Sequence, residues 1–323
     1  MDTKLLACGY YVCDRIAAHI NNVKPNTEKN FCDTQSISNF VKAHNLVSIY
    51  GCLDDKTSFS SDVSNLILKQ MKLDHMCDKI SNKFCEKQVP HIVLKGKEFQ
   101  RFYPNSIVRN SSDIDFYIDE KYVETATNIL TDFGFTHEKT NNNNEFEFTK
   151  EPVYNVELHT TIGGFSEKQK KLLSSLYQST NVSDSYRHSL TDTAFYIHAM
   201  FHLYKHFVLS GVGVRLFLDL YLTEKNGNID YGYADRLFKE LDIYGFVQTV
   251  RRINNVLFEN HTANNELSEV IEFVFDSGIF GKATTTRHLN RFNYSTKHTT
   301  KFQRFVQKHG ISFDSMSRRY PVL

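Results

Sequence analysis

The sequence has almost no excess charge of either sign. Its 38 lysines and arginines stand against 37 aspartates and glutamates, so the formal net charge at pH 7 is +1. Proteins that bind nucleic acids usually carry a basic patch or stripe on the binding face. No region interleaves basic and aromatic residues in the manner of an RNA-binding sheet. We therefore expect no nucleic-acid partner, although this balance still permits a local basic patch.

Long hydrophobic runs are missing as well. A transmembrane helix needs about 20 consecutive apolar residues, and no segment of the 323 residues has that length and composition. The first residues, MDTKLLACGYYVCDR, do not read as a signal peptide, because their apolar run is short and is interrupted by Asp14 and Arg15. The sequence thus predicts a cytoplasmic protein without a membrane span.

Several common chemical signatures are also absent. The six cysteines all lie in the first 85 residues and form no CxxC pair, which argues against structural zinc and favours reduced thiols in a cytosolic protein. There is no P-loop and no GxSxG motif. The GVGV run at 211–214 lacks the third glycine and the strand–helix setting of a dinucleotide-binding loop.

What is present divides the chain into four parts. The length suggests two domains or one large one. Apolar periodicity predicts helices before and after a central stretch in which short strands and helices alternate. We predict an α+β fold, in which a small mixed-sheet core is flanked by helical regions. The four parts are an N-terminal helical region (1–88), the α/β core (89–165), a C-terminal helical region (166–280) and a polar tail (281–323).

The core reads as strand, helix, strand, helix, strand, strand. The run HIVLKG predicts a buried strand that ends at Lys95 and Gly96, and IDFYI predicts the second strand. Asp119 is positioned to cap the following helix, and Gly134 lies where its C-cap is expected. EFEFT and YNVELHT alternate as strands do, and TNNNN before them predicts a polar loop or hairpin tip.

Two acids stand on alternate positions of the IDFYI strand. In SSDIDFYID, residues 111–119, Ile114, Phe116 and Ile118 should share one face. Asp113 and Asp115 should then share the other, where their repulsion and desolvation are costly. A solvated strand surface could carry such a pair without any function. The apolar opposite face, however, predicts a strand that is buried on one side.

A second strand supplies a third acid. In NVELHTT, Glu157 alternates with Val156 and Leu158, so it can join the two aspartates if the strands are neighbours. Converging carboxylates are typical ligands of Mg²⁺, which keeps positions open for phosphate oxygens. Bound cations would activate an attacking oxygen, stabilise a leaving pyrophosphate and offset the repulsion between the acids.

The same residues resemble a known family. HIVLKGKEFQRFYPNSIVRNSSDIDFYID is similar to uncharacterised-type nucleotidyltransferases of the polymerase-β-like superfamily. The shared features are a strand ending in Leu-Lys-Gly, an Arg before Asp-Ile-Asp, a Gly-Phe after the next helix and a later Glu-Leu-His. KHF, GVGVRLFLDL and the terminal RRYPVL extend the resemblance, which covers about residues 90–222 and the tail.

The resemblance implies roles for individual residues. Asp113 and Asp115 match the paired metal-binding aspartates, and Glu157 matches a third acid that can also act as general base. Lys95 and Gly96 stand where related enzymes hold the triphosphate with a turn of two small residues. The lysine departs from that pattern, and its positive charge suits phosphate.

Further candidates complete the expected nucleotide and acceptor sites. Arg109 could contact phosphate or, alternatively, form a surface ion pair with an acid at 119–120, and Ser112 is a further nucleotide-binding candidate. Four more residues are candidates for contact with the acceptor, and each of them could instead have an ordinary packing role. These residues are His159, His202, Lys205 and His206.

Taken together, the sequence predicts an enzyme that transfers a nucleoside monophosphate from an NTP to a hydroxyl-type acceptor and releases pyrophosphate. Mg²⁺ is the expected cofactor, with Mn²⁺ as an alternative, and the acceptor would be a sugar, small molecule or peptide. A phosphotransferase or sugar transferase on the same fold is a second hypothesis. A non-catalytic nucleotide-binding or interaction protein is a third.

Overall fold

A computed structural model describes most of the chain as two compact units. The described residues are 3–26, 32–53, 59–140, 145–152, 154–161, 166–177, 180–182, 186–209 and 211–278. One unit comprises Ser60–His198 with Gly227–Ile229, and the other comprises Met1–Phe59, Ala199–Asn226 and Asp230–Leu323. Most of the TNNNN loop and the polar tail 281–323, both predicted above, lie outside the described residues. The four-part division itself stays a prediction.

The first unit is built on a seven-stranded mixed sheet with the order β3-β4-β5-β2-β1-β7-β6. β2 pairs with β5 in parallel and with β1 in antiparallel orientation. The strands are β1 (His91–Val93), β2 (Ile114–Ile118), β3 (Thr136–Thr140), β4 (Glu145–Lys150), β5 (Tyr154–His159), β6 (Thr180–Val182) and β7 (Arg187–Leu190). Its helices are α4 (Ser60–Glu86), α5 (Gly96–Phe99), α6 (Val123–Asp132), α7 (Glu167–Leu176) and the first part of α8 (Asp192–Leu209).

One face of this sheet forms a hydrophobic core with α4 and α6. Ile114, Phe116 and Ile118 of β2 are all buried there, together with Val156 and Leu158 of β5. The alternation predicted for both strands is therefore confirmed. Burial of five such side chains contributes on the order of 10 kcal/mol before the entropic cost of folding. Their burial commits the opposite face of both strands to the polar residues.

The two ends of α6 are also as the sequence predicts. Asp119 accepts a hydrogen bond from the backbone N–H of Lys121 and caps the 3₁₀ turn that leads into α6. Gly134 follows the helix with a φ of 82°, and the N–H of Phe135 closes the turn on Leu130 O at 3.0 Å. A left-handed residue at this place is what the glycine permits.

Three strands were not predicted. β3 is a polar edge strand, and β6 and β7 have only three and four residues. Such segments lack the apolar alternation that marks a half-buried strand. Their pairing comes from the neighbouring strand instead, as in β1–β7, where His91 and Ile92 pair with Arg187 and His188. The predicted α+β class, with helices before and after a mixed sheet, is confirmed.

The second unit is helical in the residues that the structure describes. α1 packs against α2, α11 and α12, and α9 packs against α11. Its helices are α1 (Thr3–Asn21), α2 (Thr34–Ala43), α3 (Val47–Gly51), the remainder of α8, α9 (Val214–Asn226), α10 (Tyr231–Glu240), α11 (Tyr244–Phe258) and α12 (Asn265–Ser277). Across the described parts of both units, each helix is too short or too polar to cross a bilayer.

A buried histidine makes the helical unit sensitive to acid. His44 is fully buried; its Nδ1 accepts the N–H of Val214 at 3.2 Å, and its Nε2 donates to Phe275 O at 3.2 Å. Burial lowers the pKa of His44 to about 4 despite the hydrogen bond to Phe275. The unfolded chain, in which a histidine pKa is about 6.5, therefore binds more protons as the pH falls.

We expect this group to reduce the unfolding free energy by about 2 kcal/mol between about pH 7 and pH 4.5. Urea unfolding of wild type and His44→Gln at both pH values measures the effect as a difference in pH dependence. His261→Gln, which alters an exposed histidine, is the matched control. Equal pH dependence in wild type and His44→Gln would show that His44 is not the group responsible.

Candidate functional site

The polar face of the sheet brings Asp115 and Glu157 together. β2 and β5 are parallel neighbours, and their register places Asp115 directly beside Glu157 and Tyr117 beside His159. Because residues with the same parity share a face, all four project from the side opposite the core. The predicted convergence of Asp115 and Glu157 thus follows from the pairing of two strands that are separated by 35 residues of the chain.

Asp115 is the most enclosed acid of the group. It is 2% exposed, and its Oδ1 accepts from Lys95 Nζ at 2.6 Å and lies 2.8 Å from His159 Nε2. Its Oδ2 is also buried but has no hydrogen-bond partner among the described residues. A buried carboxylate oxygen without a partner is costly. The group therefore has an unused ligand atom.

Glu157 and His159 also lie close to the Lys95 ammonium. Glu157 Oε2 lies 3.2 Å from His159 Nε2 and 3.5 Å from Lys95 Nζ. Lys95 Nζ is also 3.3 Å from His159 Nε2. One ligand atom each of Asp115, Glu157 and His159 lies within 4.8 Å of the others. Such a set has the composition and spacing to hold a metal ion.

The charges in this group adjust one another. Burial alone would raise the pKa of Asp115, but Lys95 and His159 hold it well below its usual range. Burial and the Lys95 charge would lower the pKa of His159, but hydrogen bonds to Asp115, Glu145 and Glu157 raise it to about 10. In this arrangement the Asp115 carboxylate is therefore ionised, and the charges of Lys95 and His159 stabilise it.

Asp113 stands one residue before β2, beside this group. Burial raises its pKa to about 6, the negative charges of Asp115 and Glu157 act in the same direction, and Lys95 and a hydrogen bond from Ser112 oppose them. Asp113 and Asp115 both border a cavity of about 10 Å³, which is room for about one water molecule. A proton or a cation at this end of β2 would relieve the repulsion between the acids.

The turn at Lys95 and Gly96 is constrained by the loop before β2. Lys95 has a φ of 47°, which is unusual for a residue with a side chain. A Cβ on Gly96 would lie 2.1 Å from Ser111 Oγ and 2.8 Å from Ser111 Cβ. Gly96 therefore allows the two loops to approach closely, and this approach holds Lys95 beside Asp115.

Arg109 and Ser112 belong to that second loop. Arg109 is 4% exposed; its Nη1 donates to Asn110 O at 2.7 Å and to Ser111 Oγ at 3.3 Å, and its guanidinium lies 5.2 Å from the Phe99 ring centre. Ser112 is exposed and hydrogen-bonds to Asp113. These contacts order the loop, and phosphate binding by either residue stays a prediction.

The other acceptor-side candidates lie in the helical unit. His202, Lys205 and His206 are on α8, and the rings of His202 and His206 have their centres 4.3 Å apart. Asp115, Glu157 and His159 belong to the sheet unit, whereas these three residues belong to the helical unit. Their role toward an acceptor therefore stays a prediction.

Sequence reasoning missed Glu145 and Glu147 of β4. The antiparallel register places Glu145 opposite His159 and Glu147 opposite Glu157, so both share the acidic face. Glu145 Oε1 lies 3.6 Å from His159 Nδ1. The alternation in EFEFT predicted a strand correctly, but it could not indicate which strand would be its neighbour. The acidic face is therefore wider than the sequence predicts.

A comparison with protein families finds a match that covers most of the chain. The family model described as "uncharacterised nucleotidyltransferase" matches residues 56–259. The matched stretch contains α4, the whole sheet and the helices through α11. A search of the curated proteins finds no match.

Proposed function

Because the chain belongs to the uncharacterised nucleotidyltransferase family, we propose that it transfers a nucleoside monophosphate from an NTP to a hydroxyl-type acceptor. In this reaction a bond forms between the acceptor oxygen and the α-phosphorus, and the bond from that phosphorus to the bridging oxygen breaks. Pyrophosphate leaves, and the acceptor proton passes to a base on the protein. The acceptor would be a sugar, a small molecule or a peptide.

The observation that carries this proposal is the convergence of Asp115, Glu157 and His159 around the half-buried Lys95 ammonium. Lys95 Nζ lies 2.6 Å from Asp115 Oδ1 and 3.5 Å from Glu157 Oε2. A site that already stabilises a cation between two carboxylates is suited to Mg²⁺ or Mn²⁺. Asp115 Oδ2, which has no hydrogen-bond partner in the part of the chain that the structure describes, supports this reading, because a divalent cation would bind it.

Each residue of the group has a role in the proposal. Asp113, Asp115 and Glu157 would hold the cation. Glu157, whose side chain is more exposed than that of Asp115, would also take the proton from the acceptor hydroxyl. A bound divalent cation would supply charge that stabilises the phosphates as the bond breaks. Lys95 would contact phosphate oxygens as a point charge once the cation neutralises the acids.

The remaining candidates build the substrate sides of the site. Gly96, Arg109 and Ser112 would shape and line the phosphate loop. His159 would contact the acceptor. His202, Lys205 and His206 of the helical unit are further candidates for acceptor binding. An NTP substrate and six reduced cysteines suit a reducing, cytoplasmic setting.

The decisive test uses NTPs labelled in turn at the α- and γ-phosphate. Each is mixed with Mg²⁺ or Mn²⁺, the full chain and an extract of its own cells. The Asp113→Ala/Asp115→Ala double variant serves as control. We expect α-label to move to a new species with wild type alone. Label that moves only from the γ-position would contradict the proposal and indicate phosphoryl transfer. No movement from any NTP would contradict it in favour of sugar transfer or a binding role.

A further inference from the structure

The imidazole of His159 lies between two sets of carboxylates. On one side, Nε2 is 2.8 Å from Asp115 Oδ1 and 3.2 Å from Glu157 Oε2. On the other side, Nδ1 is 3.6 Å from Glu145 Oε1. The side chain is only 7% exposed. The ring therefore directs one nitrogen toward the acids of β2 and β5 and the other toward β4.

The Lys95 ammonium marks the position where a cation would stand. It lies 2.6 Å from Asp115 Oδ1, 3.5 Å from Glu157 Oε2 and 3.3 Å from His159 Nε2. An ammonium group is a compact point charge on a flexible stem. The Lys95 side chain is 23% exposed, so the flexible stem can carry the charge outward when another cation takes its place.

A single ammonium does not use the full binding capacity of the group. Asp115 is only 2% exposed, and its Oδ2 has no hydrogen-bond partner among the described residues. Lys95 donates a hydrogen bond to Oδ1 and not to Oδ2. A divalent cation can bind the carboxylate oxygens of Asp115 and Glu157 together with the imidazole nitrogen of His159. It therefore uses these ligand atoms more fully than the Lys95 ammonium does.

We propose that His159 Nε2 is itself a ligand of the cation, together with Asp115 and Glu157, and that the site consequently prefers Mn²⁺ to Mg²⁺. This inference rests on the proposed function, because it concerns the cation of the same site. Mg²⁺ is held by oxygen ligands, whereas an imidazole nitrogen favours a first-row transition ion. Binding replaces the Nε2 proton, which is released to solvent, and displaces the Lys95 ammonium.

Glu145 is the positioning residue for this ligand. Histidines that bind metals usually direct their other ring nitrogen to a carboxylate or carbonyl, which sets the tautomer and the ring orientation. Glu145 stands directly opposite His159 in the β4–β5 register and faces its Nδ1. With the proton on Nδ1, attracted by the Glu145 carboxylate 3.6 Å away, the Nε2 lone pair is directed at the cation.

The test uses Mn²⁺ alone, added to the full chain and followed by electron paramagnetic resonance. Electron spin echo modulation reports a nitrogen atom bound to Mn²⁺. We expect nitrogen modulation in wild type and its loss in His159→Asn, while His137→Asn, on edge strand β3, retains it. Selective ¹⁵N labelling of histidine in wild type should change the modulation, so the result does not depend on whether His159→Asn folds.

Two quantitative expectations accompany the spectra. Mg²⁺ should displace Mn²⁺ from wild type only at about tenfold higher concentration or more, and this preference should shrink in His159→Asn. Glu145→Gln should keep nitrogen modulation but weaken Mn²⁺ binding by about 10- to 100-fold. Glu138→Gln, on β3, is its matched control and should bind as wild type does.

The outcomes separate this inference from the proposed function. Mn²⁺ that binds in an Asp115-dependent manner without nitrogen modulation would overturn the histidine ligand and leave the acid-held cation standing. Unchanged modulation in His159→Asn would also overturn it, since the nitrogen would come from elsewhere. No Asp115-dependent Mn²⁺ binding would overturn both the inference and the proposed cation site.

Discussion

Replacing Asp115 with Asn should lower the rate of cation-dependent nucleotidyl transfer by a factor on the order of 1,000. The substitution keeps the size of the side chain but removes the charge that attracts both Lys95 and the cation. The free energy of several kcal/mol that a bound cation contributes to charge stabilisation is then lost. The measurement is the rate of α-label transfer at saturating cation and NTP.

The matched control is Asp119→Asn, which removes a charge at the other end of the same strand. Asp119 is exposed and caps the turn before α6, outside the acidic group. We expect this variant to retain transfer activity. The Asp115→Asn variant should retain its circular dichroism spectrum, because β2 is held by the core face. Full activity in a folded Asp115→Asn protein would show that Asp115 does not hold the cation.

Replacing Gly9 with Ala should destabilise the helical unit by about 2 kcal/mol. Gly9 lies in α1, where a Cβ would stand 2.2 Å from Phe275 Cε2 and 2.3 Å from its Cδ2. The Phe275 ring, on α12, cannot move away easily, because it packs edge-on against Phe40 with ring centres 5.2 Å apart. Alanine favours a helix over glycine by about 1 kcal/mol, so the clash must exceed that gain.

A double-mutant cycle with Phe275→Leu isolates the clash. In the Phe275→Leu background, Gly9→Ala should cost little or even stabilise the protein, because the ring that obstructs the Cβ is gone. Gly232→Ala, at an exposed position in α10, is the control for helix propensity. Unfolding by urea gives the free energies of the four proteins in the cycle and of the Gly232→Ala control. If Gly9→Ala proved as harmless as Gly232→Ala in the wild-type background, the close approach of α1 and α12 would be wrong.

Much of the central sheet could be predicted because its signals are local. The alternation of Ile114, Phe116 and Ile118 with polar neighbours follows from the geometry of any strand. The Asp119 cap and the left-handed Gly134 likewise depend only on nearby residues. For the same reason the three strands that carry no such alternation were missed, since partners distant in sequence determine whether they pair.

The candidate site was predictable only in part. Asp115 and Glu157 could be placed on one face by assuming that their strands are neighbours, and the β2–β5 register bears out that assumption. Glu145 could not be placed, because nothing in EFEFT indicates that β4 lies beside β5. Lys95 was expected to contact phosphate, and its position on Asp115 depends on the close approach of two loops at Gly96.

The sequence by itself determined which side chains share a face of β2 and β5, and where α6 begins and ends. Each of these follows from the fixed periodicity and capping chemistry of a short stretch of chain. Only the tertiary structure decided that Lys95 stands among those acids, that His159 lies between Asp115 and Glu145, and that polar edge strands extend the sheet. Strand order, register and burial arise from pairing between residues far apart in the chain, and no local pattern specifies them.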